Sequence, residues 1–280
     1  MKLLLPLLLL VVAYGQAFMF GASQNWAGLK ITWNPNPFAH YGFNEMPRNL
    51  NEDDMNGFVL KDDQCSGSGN KFAGKRYWKD QDTAVILLFD VNGYIAGMQQ
   101  SIAKSEYTPP PPTRNVWYTD DGDYWTLTAY FVEPNIICTS GRSKSDYDSQ
   151  GTGYGLFLQN GPDPKNFVGI PVSEDNAKKT DWVLGHCFYT MGDHFWFNVT
   201  DSMNCDHFVP YFLLYNKGKL NGWGFANTGH YDSPRFEHPT LGVVGKFIKP
   251  VPKCFSTDPR FQKFSTMHVY FTNYPQLQFC

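Results

Sequence analysis

The sequence predicts a mainly β chain: an antiparallel sandwich or barrel-like sheet with long loops, few short helices and disulfide staples. Three observations carry that expectation. Short runs rich in Val, Ile, Tyr, Phe, Trp and Thr recur along the 280 residues, separated by Gly, Pro, Asn and Asp clusters. Two of the runs are split by hairpin dipeptides, Asn92-Gly93 and Asp121-Gly122. No segment carries a convincing 3.6-residue apolar stripe, and no internal repeat is visible.

The first residues, MKLLLPLLLLVVAYGQA, read as a secretory signal peptide over 1–15. Lys2 supplies the basic start, Leu3 to Val12 the apolar stretch, and Ala13 and Gly15 the small residues of a cleavage site. The run is shorter than the roughly 20 residues that span a bilayer, and no later segment comes closer, so no transmembrane segment is expected. Residues 16–280 are then expected to form a single secreted β-rich domain, with a candidate subdivision near 107–113.

The elements follow in order. Residues 45–60 hint at a short helix, and 84–99 (AVILLFDVNGYIAGMQ) read as a hairpin. The proline run 107–113 (YTPPPPT) favours polyproline II, as a stiff connector or a loop crossing a sheet edge. Residues 115–132 repeat the hairpin logic with Trp, Tyr, Thr and Val on both arms. Strands are expected over 153–159, 182–189, 194–199, 211–215, 219–225 and 266–272, and a short helix over 174–181.

Six cysteines (Cys65, Cys138, Cys187, Cys205, Cys254 and Cys280) lack C-x-x-C spacing. In an exported chain they read as three disulfides rather than as a zinc ribbon or redox motif. The short loop favours Cys187 with Cys205; Cys254 with Cys280 would pin the tail, leaving Cys65 for Cys138. Asn198-Val199-Thr200 is an N-glycosylation sequon consistent with the same export route. Net charge is −3 with no Lys/Arg cluster, which argues against nucleic acid and anionic membrane surfaces as partners. Aromatic residues make up 17% of the chain against 18% charged, so rings remain for a surface after a core is built.

The densest stretch is GDHFWFNVTDSMNCDHF, residues 192–208. A hairpin turning at Met191-Gly192 would set Tyr189 opposite His194, Phe188 opposite Phe195 and Cys187 opposite Trp196. Alternation then places Tyr189, His194, Trp196 and Asn198 on one face, and His186, Phe195 and Phe197 on the other. His186 and His194 diverge, which makes a poor two-histidine metal site. Tyr189, His194 and Trp196 would form an aromatic row suited to stacking on a sugar or other amphipathic ligand, with Trp223 extending it. A second layer of chain covering the row is the competing arrangement.

Reactive chemistry is best sought in 221–239, where His230, Asp232, Arg235, Glu237 and His238 crowd a Gly/Pro-broken loop. A carboxylate-oriented histidine serves as a general base near neutral pH, and two histidines with a carboxylate can hold a divalent metal. In that reading His230 and His238 are the acid/base groups or ligands, Asp232 or Glu237 orients them, and Arg235 contacts an anion. No zinc spacing such as H-E-x-x-H occurs, and no specific motif requires a cofactor. Asp146, Asp148 and Gly151 match the start of a calcium loop, but Phe157 stands where the final Glu belongs, leaving only a non-EF calcium loop as a metal reading. GTGYG at 151–155 lacks the Lys-Ser/Thr of a phosphate loop, and no G-x-S-x-G elbow is present. The expected function is a secreted binding protein for a carbohydrate or small amphipathic ligand. The alternatives are a secreted enzyme built on 230–238 and a structural or effector protein. Nothing in the sequence fixes an oligomeric state.

Overall fold

The computed structural model describes residues 26–34, 36, 41–51, 55 and 57–279; the leader expected over 1–15 and Cys280 lie outside them. The chain begins in one sheet with two short strands, β1 (Lys30–Ile31) and β2 (Asn44–Glu45). It then builds a second sheet from β3 (Phe58–Asp63), β4 (Lys75–Lys79), β5 (Ile86–Phe89), β6 (Ile95–Ala103), β7 (Thr119–Asp121), β8 (Tyr124–Tyr130), β9 (Leu156–Gln159) and β10 (Phe167–Ile170). Finally it returns to complete the first with β11 (Trp182–Phe188), β12 (Gly192–Phe197), β13 (Tyr211–Asn216), β14 (Lys219–Thr228) and β15 (Phe264–Tyr270). The first sheet runs β11-β12-β13-β14-β15-β1-β2, the second β10-β9-β8-β6-β5-β4-β3 with β7 beside β8, and the pairings are antiparallel. The expected mainly β, antiparallel, disulfide-stapled architecture is what forms.

The two sheets share one apolar core, in which Leu87, Phe89, Met98 and Leu127 of the second sheet join Phe195, Tyr211, Trp223, Phe225, Met267 and Val269 of the first. The first sheet has a second layer on its other face. Trp196, Phe212, Leu214, Ala226 and Tyr270 point outward there and are covered by Val244, Ile248, Phe255 and Phe261, which come from the long connection 229–263 between β14 and β15. Strand β14 shows why a layer fits. Its core-facing residues are Trp223 and Phe225, but its outward residues are Gly222, Gly224 and Ala226. A Cβ at Gly224 would collide with the Phe212 ring, so the glycine is what lets that ring lie down over the strand.

Four expectations change. The chain at 111–117 is not an extended connector: Pro111–Trp117 is a helix with proline in its first turn, where the missing N–H is no loss. Its Trp117 enters the shared core. The helix hinted at over 45–60 ends in strand β3, whose charged FVLKDD sequence masks its pairing with β4. The β11–β12 hairpin turns through residues 189–191, with Phe188 opposite Gly192 and Cys187 opposite Asp193, because Thr190 and Gly192 take positive φ and β11 bulges between Leu184 and Cys187.

The fourth change concerns the disulfides. Cys65 pairs with Cys138 as expected, but Cys205 pairs with Cys254, and Cys187 is disulfide-bonded elsewhere. The short Cys187–Cys205 loop misled because Cys187 sits at the turn end of the hairpin and Cys205 follows the far end of β12. Cys254–Cys280 is excluded by the same pairing. No helix among the described residues is long and apolar enough to cross a membrane.

Candidate functional site

Between the outward face of the first sheet and the covering layer lies a cavity of about 460 Å³. Trp196, Phe212, Ala226 and His268 form its floor, Val243, Val244 and Phe247 its roof, and Trp33 and Phe236 its side. The two indoles on its wall are tied down: Trp196 Nε1 donates to the Phe247 carbonyl (3.1 Å), and Trp33 Nε1 to Thr190 Oγ1 (2.5 Å). The roof is anchored to the edge strand, where the His186 N–H donates to the Phe247 carbonyl at 3.0 Å.

Three polar groups interrupt the apolar lining. Glu237 is held beside β15 by a two-way backbone bridge with Thr266 (2.8 and 2.9 Å), in the space past the short β1 strand. Its carboxylate accepts from His268 Nδ1–H (2.6 Å) and Thr266 Oγ1–H (2.9 Å) through Oε2, and from the Trp33 and His268 backbone N–H groups (2.5 and 3.2 Å) through Oε1. Burial alone would raise the Glu237 carboxyl. The adjacent His268, by charge and hydrogen bond, and the Trp33 N–H outweigh that and hold it below the usual carboxylate range.

His194 and His268 both lie against the Phe212 ring (centroids 5.7 and 4.8 Å), with their imidazole centroids 5.8 Å apart. His194 Nδ1 is 3.2 Å from the His186 carbonyl, which can only accept, so the proton sits on Nδ1 and Nε2 is a bare lone pair. Burial, reinforced by His268, pushes this imidazole down to about 3, and it is neutral at physiological pH. The Nε2 atoms of His194 and of His268 are both buried without a hydrogen-bond partner. Of the cavity's lining side chains these two alone carry such atoms; other unpartnered groups, Trp223 Nε1 among them, lie outside the lining.

The residues singled out from sequence divide. His194 and Trp196 keep the face expected for them, but that face is covered: they are 1% and 4% exposed and look into the cavity. Tyr189 is exposed and packs beside Phe279, and Trp223 is fully buried in the inter-sheet core, so the four form no open platform. The covering layer is the physical reason, and the single-residue alternation of β14 puts Trp223 on the opposite face. Asn198 is exposed at the end of β12.

The 230–238 constellation is likewise split. His230 and His238 stack at 3.9 Å near the rim, where burial and then His230 hold His238 below its ordinary value despite a bond to the Phe264 carbonyl. Asp232 is exposed, and Arg235 turns away to pair with Asp82, which also accepts from Ser233 Oγ–H at 2.9 Å. Only Glu237 reaches the cavity floor, and its partner is His268. That histidine escaped sequence reasoning; the available signal was a polar residue sharing its strand face with Thr266 and Tyr270. Asp146 is spent in a capping box with Ser143, and Asp148 pairs with Lys144 at 2.6 Å. Among the described residues no three His, Cys, Asp or Glu side chains are placed to hold a metal.

Comparison with known families, curated proteins and solved structures finds no match.

Proposed function

We propose that this chain is a secreted binding protein that encloses a small amphipathic ligand, in an internal cavity rather than on an open aromatic surface. The observation that carries the reading is the cavity itself: about 460 Å³, lined by rings and aliphatic side chains, with a few fixed polar groups at one end. Its size suits one small molecule, and the apolar lining favours an amphipathic body over a free sugar. The disulfides and the exposed Asn198 sequon support the extracellular setting, with a glycan on Asn198.

The test uses N-phenyl-1-naphthylamine, a probe uncharged at neutral pH whose emission rises in apolar surroundings. Saturable binding is expected, and Val243→Trp, which fills the rim of the roof, should abolish it while circular dichroism stays unchanged. Non-saturable emission, or saturation indifferent to Val243→Trp, would remove the cavity as the site. An acid/base enzyme is the second reading, favoured by the Glu237–His268 hydrogen bond at 2.6 Å. In it His268 is the general base and Glu237 the positioning residue.

A further inference from the structure

We infer that the ligand is uncharged: an alcohol, ester, ketone or ether on an apolar body, not a carboxylic acid or an amine. The inference rests on the cavity being a ligand site and adds which head groups it admits.

Charge comes first. No lysine or arginine lines the cavity among the described residues, and the sequence PNPFAH between Asn34 and Tyr41 contains none. The carboxylate of the lining is that of Glu237, and both of its oxygens are filled. Oε1 accepts the Trp33 and His268 backbone N–H groups, and Oε2 accepts His268 Nδ1–H and Thr266 Oγ1–H. An ammonium would have to displace a hydrogen already bound there. The Nε2 atoms of His194 and His268 each expose under 1 Å² and are closed to an occupant.

Side-chain hydrogens are spent in the same way. Thr32 Oγ1–H goes to the Arg235 carbonyl (2.7 Å) and Thr266 Oγ1–H to Glu237 (2.9 Å). The indole N–H groups of Trp33 and Trp196 go to Thr190 Oγ1 and the Phe247 carbonyl. A carboxylate brought inside would find neither a cation nor one of these hydrogens. At the mouth His238 is held below its ordinary value by burial and then by His230, so it adds no counter-charge at neutral pH. Most of the remaining wall is ring and aliphatic, Phe212, Phe264 and Val244 among it. Rings attract a cation, but by less than the loss of its water costs when no acceptor replaces that water. A charged head group inside therefore gives up its hydration and regains little. An uncharged one gives up far less, while the apolar body gains the same from burial.

The experiment measures displacement of N-phenyl-1-naphthylamine from the folded, secreted protein near neutral pH. The competitors share a naphthyl body: 2-naphthalenemethanol and methyl 2-naphthoate are uncharged, 2-naphthoate is an anion and 2-naphthylmethylammonium a cation. Both uncharged molecules should bind about tenfold or more tighter than either ion. Calorimetric titration of Val243→Trp with 2-naphthalenemethanol should show no binding, which places that molecule in the cavity. Three results overturn the inference: either ion competing as strongly as the uncharged pair, both uncharged molecules failing to displace a bound probe, or the alcohol binding undiminished to Val243→Trp. In each of these cases a probe that binds the parent and not Val243→Trp leaves the cavity reading standing, and only the uncharged head group falls. If the probe fails as well, both fall.

Discussion

Each sheet buries a polar cluster, and the two are finished differently. In the second sheet Arg76 is fully buried, and its guanidinium is met on every side: Nε donates to Gln99 Oε1 (2.8 Å), and the terminal nitrogens to Asp62 (3.0 Å) and Asp121 (2.5 and 3.3 Å). Gln99 passes its own amide to Thr128 (3.0 Å), and Phe72 lies under the guanidinium at 4.5 Å. Burial would raise the Asp121 carboxyl, but Arg76 and Lys61 prevail and hold it low. In the first sheet Glu237 is equally well served, yet Nε2 of its partner His268, and Nε2 of the neighbouring His194, are buried without a hydrogen-bond partner. A closed network of charges is what a structural role requires, whereas unfinished polar groups beside a cavity are the mark of a site. The contrast separates scaffold from site more sharply than composition does, since both clusters are built from the same kinds of residue.

The contrast can be broken by experiment. The largest effect should come from Arg76→Leu, which leaves Asp62 and Asp121 without their partner and should cost about 3–5 kcal/mol in urea unfolding. A loss under ~1 kcal/mol would mean that the cluster is not what closes the second sheet. A middling effect is expected at the boundary of the cavity. Gly224→Ala drives a Cβ into the Phe212 ring and should cost about 1–3 kcal/mol, with probe affinity falling because the displaced ring enters the cavity. Unchanged stability and affinity there would show that the strand yields and that the glycine does not shape the site.

The smallest change in stability belongs to His194→Leu. Removing the unpartnered Nε2 offsets the loss of the Nδ1–H bond to the His186 carbonyl, so stability should stay within about 1 kcal/mol of the parent at neutral pH. The pH dependence sharpens this. His194 takes a proton near 6.5 when unfolded but near 3 when folded, so the unfolded state holds the extra proton in between. Its contribution is complete above about pH 6.5 and is lost as pH falls toward 3, by up to about 1.4 kcal/mol per unit. The wild-type chain should therefore lose stability faster than His194→Leu between about pH 6.5 and 4.5. Parallel slopes would place a charged or solvated imidazole at 194.

Much of the scaffold was legible in the sequence. Asn92-Gly93 turns β5 into β6, Asp121-Gly122 turns β7 into β8, and β11 to β15 fall on their expected runs, because turn chemistry and aromatic patterning act locally. Strands β3 and β4 hid behind Asp and Lys that face solvent or one another across an edge, and the helix at Pro111 hid behind a proline run that also reads as extended. The site was legible only in part. His194, Trp196 and Glu237 were named, but the first two for an open surface and the third for a loop cluster. What unites them is the meeting of 32–33, 237 and 266–268 through hydrogen bonds that tie residues 32–33 to segments more than two hundred residues away, which no local pattern announces. The alternation of Gly222, Gly224 and Ala226 against Trp223 and Phe225 was a readable sign that one face of β14 must leave room.

Strands β14 and β15 pair in unbroken register from Gly222 with Tyr270 to Thr228 with Phe264, so the sheet is complete without residues 229–263. The covering layer is thus an insertion into a finished hairpin, stapled at one end by Cys205–Cys254 and resting on β11 at the other. A segment attached in that way can change length and composition without disturbing the framework beneath it. Chains sharing this sheet but differing in that insertion would form a set with interchangeable roofs, and the same junctions mark where an engineer would cut to exchange one roof for another.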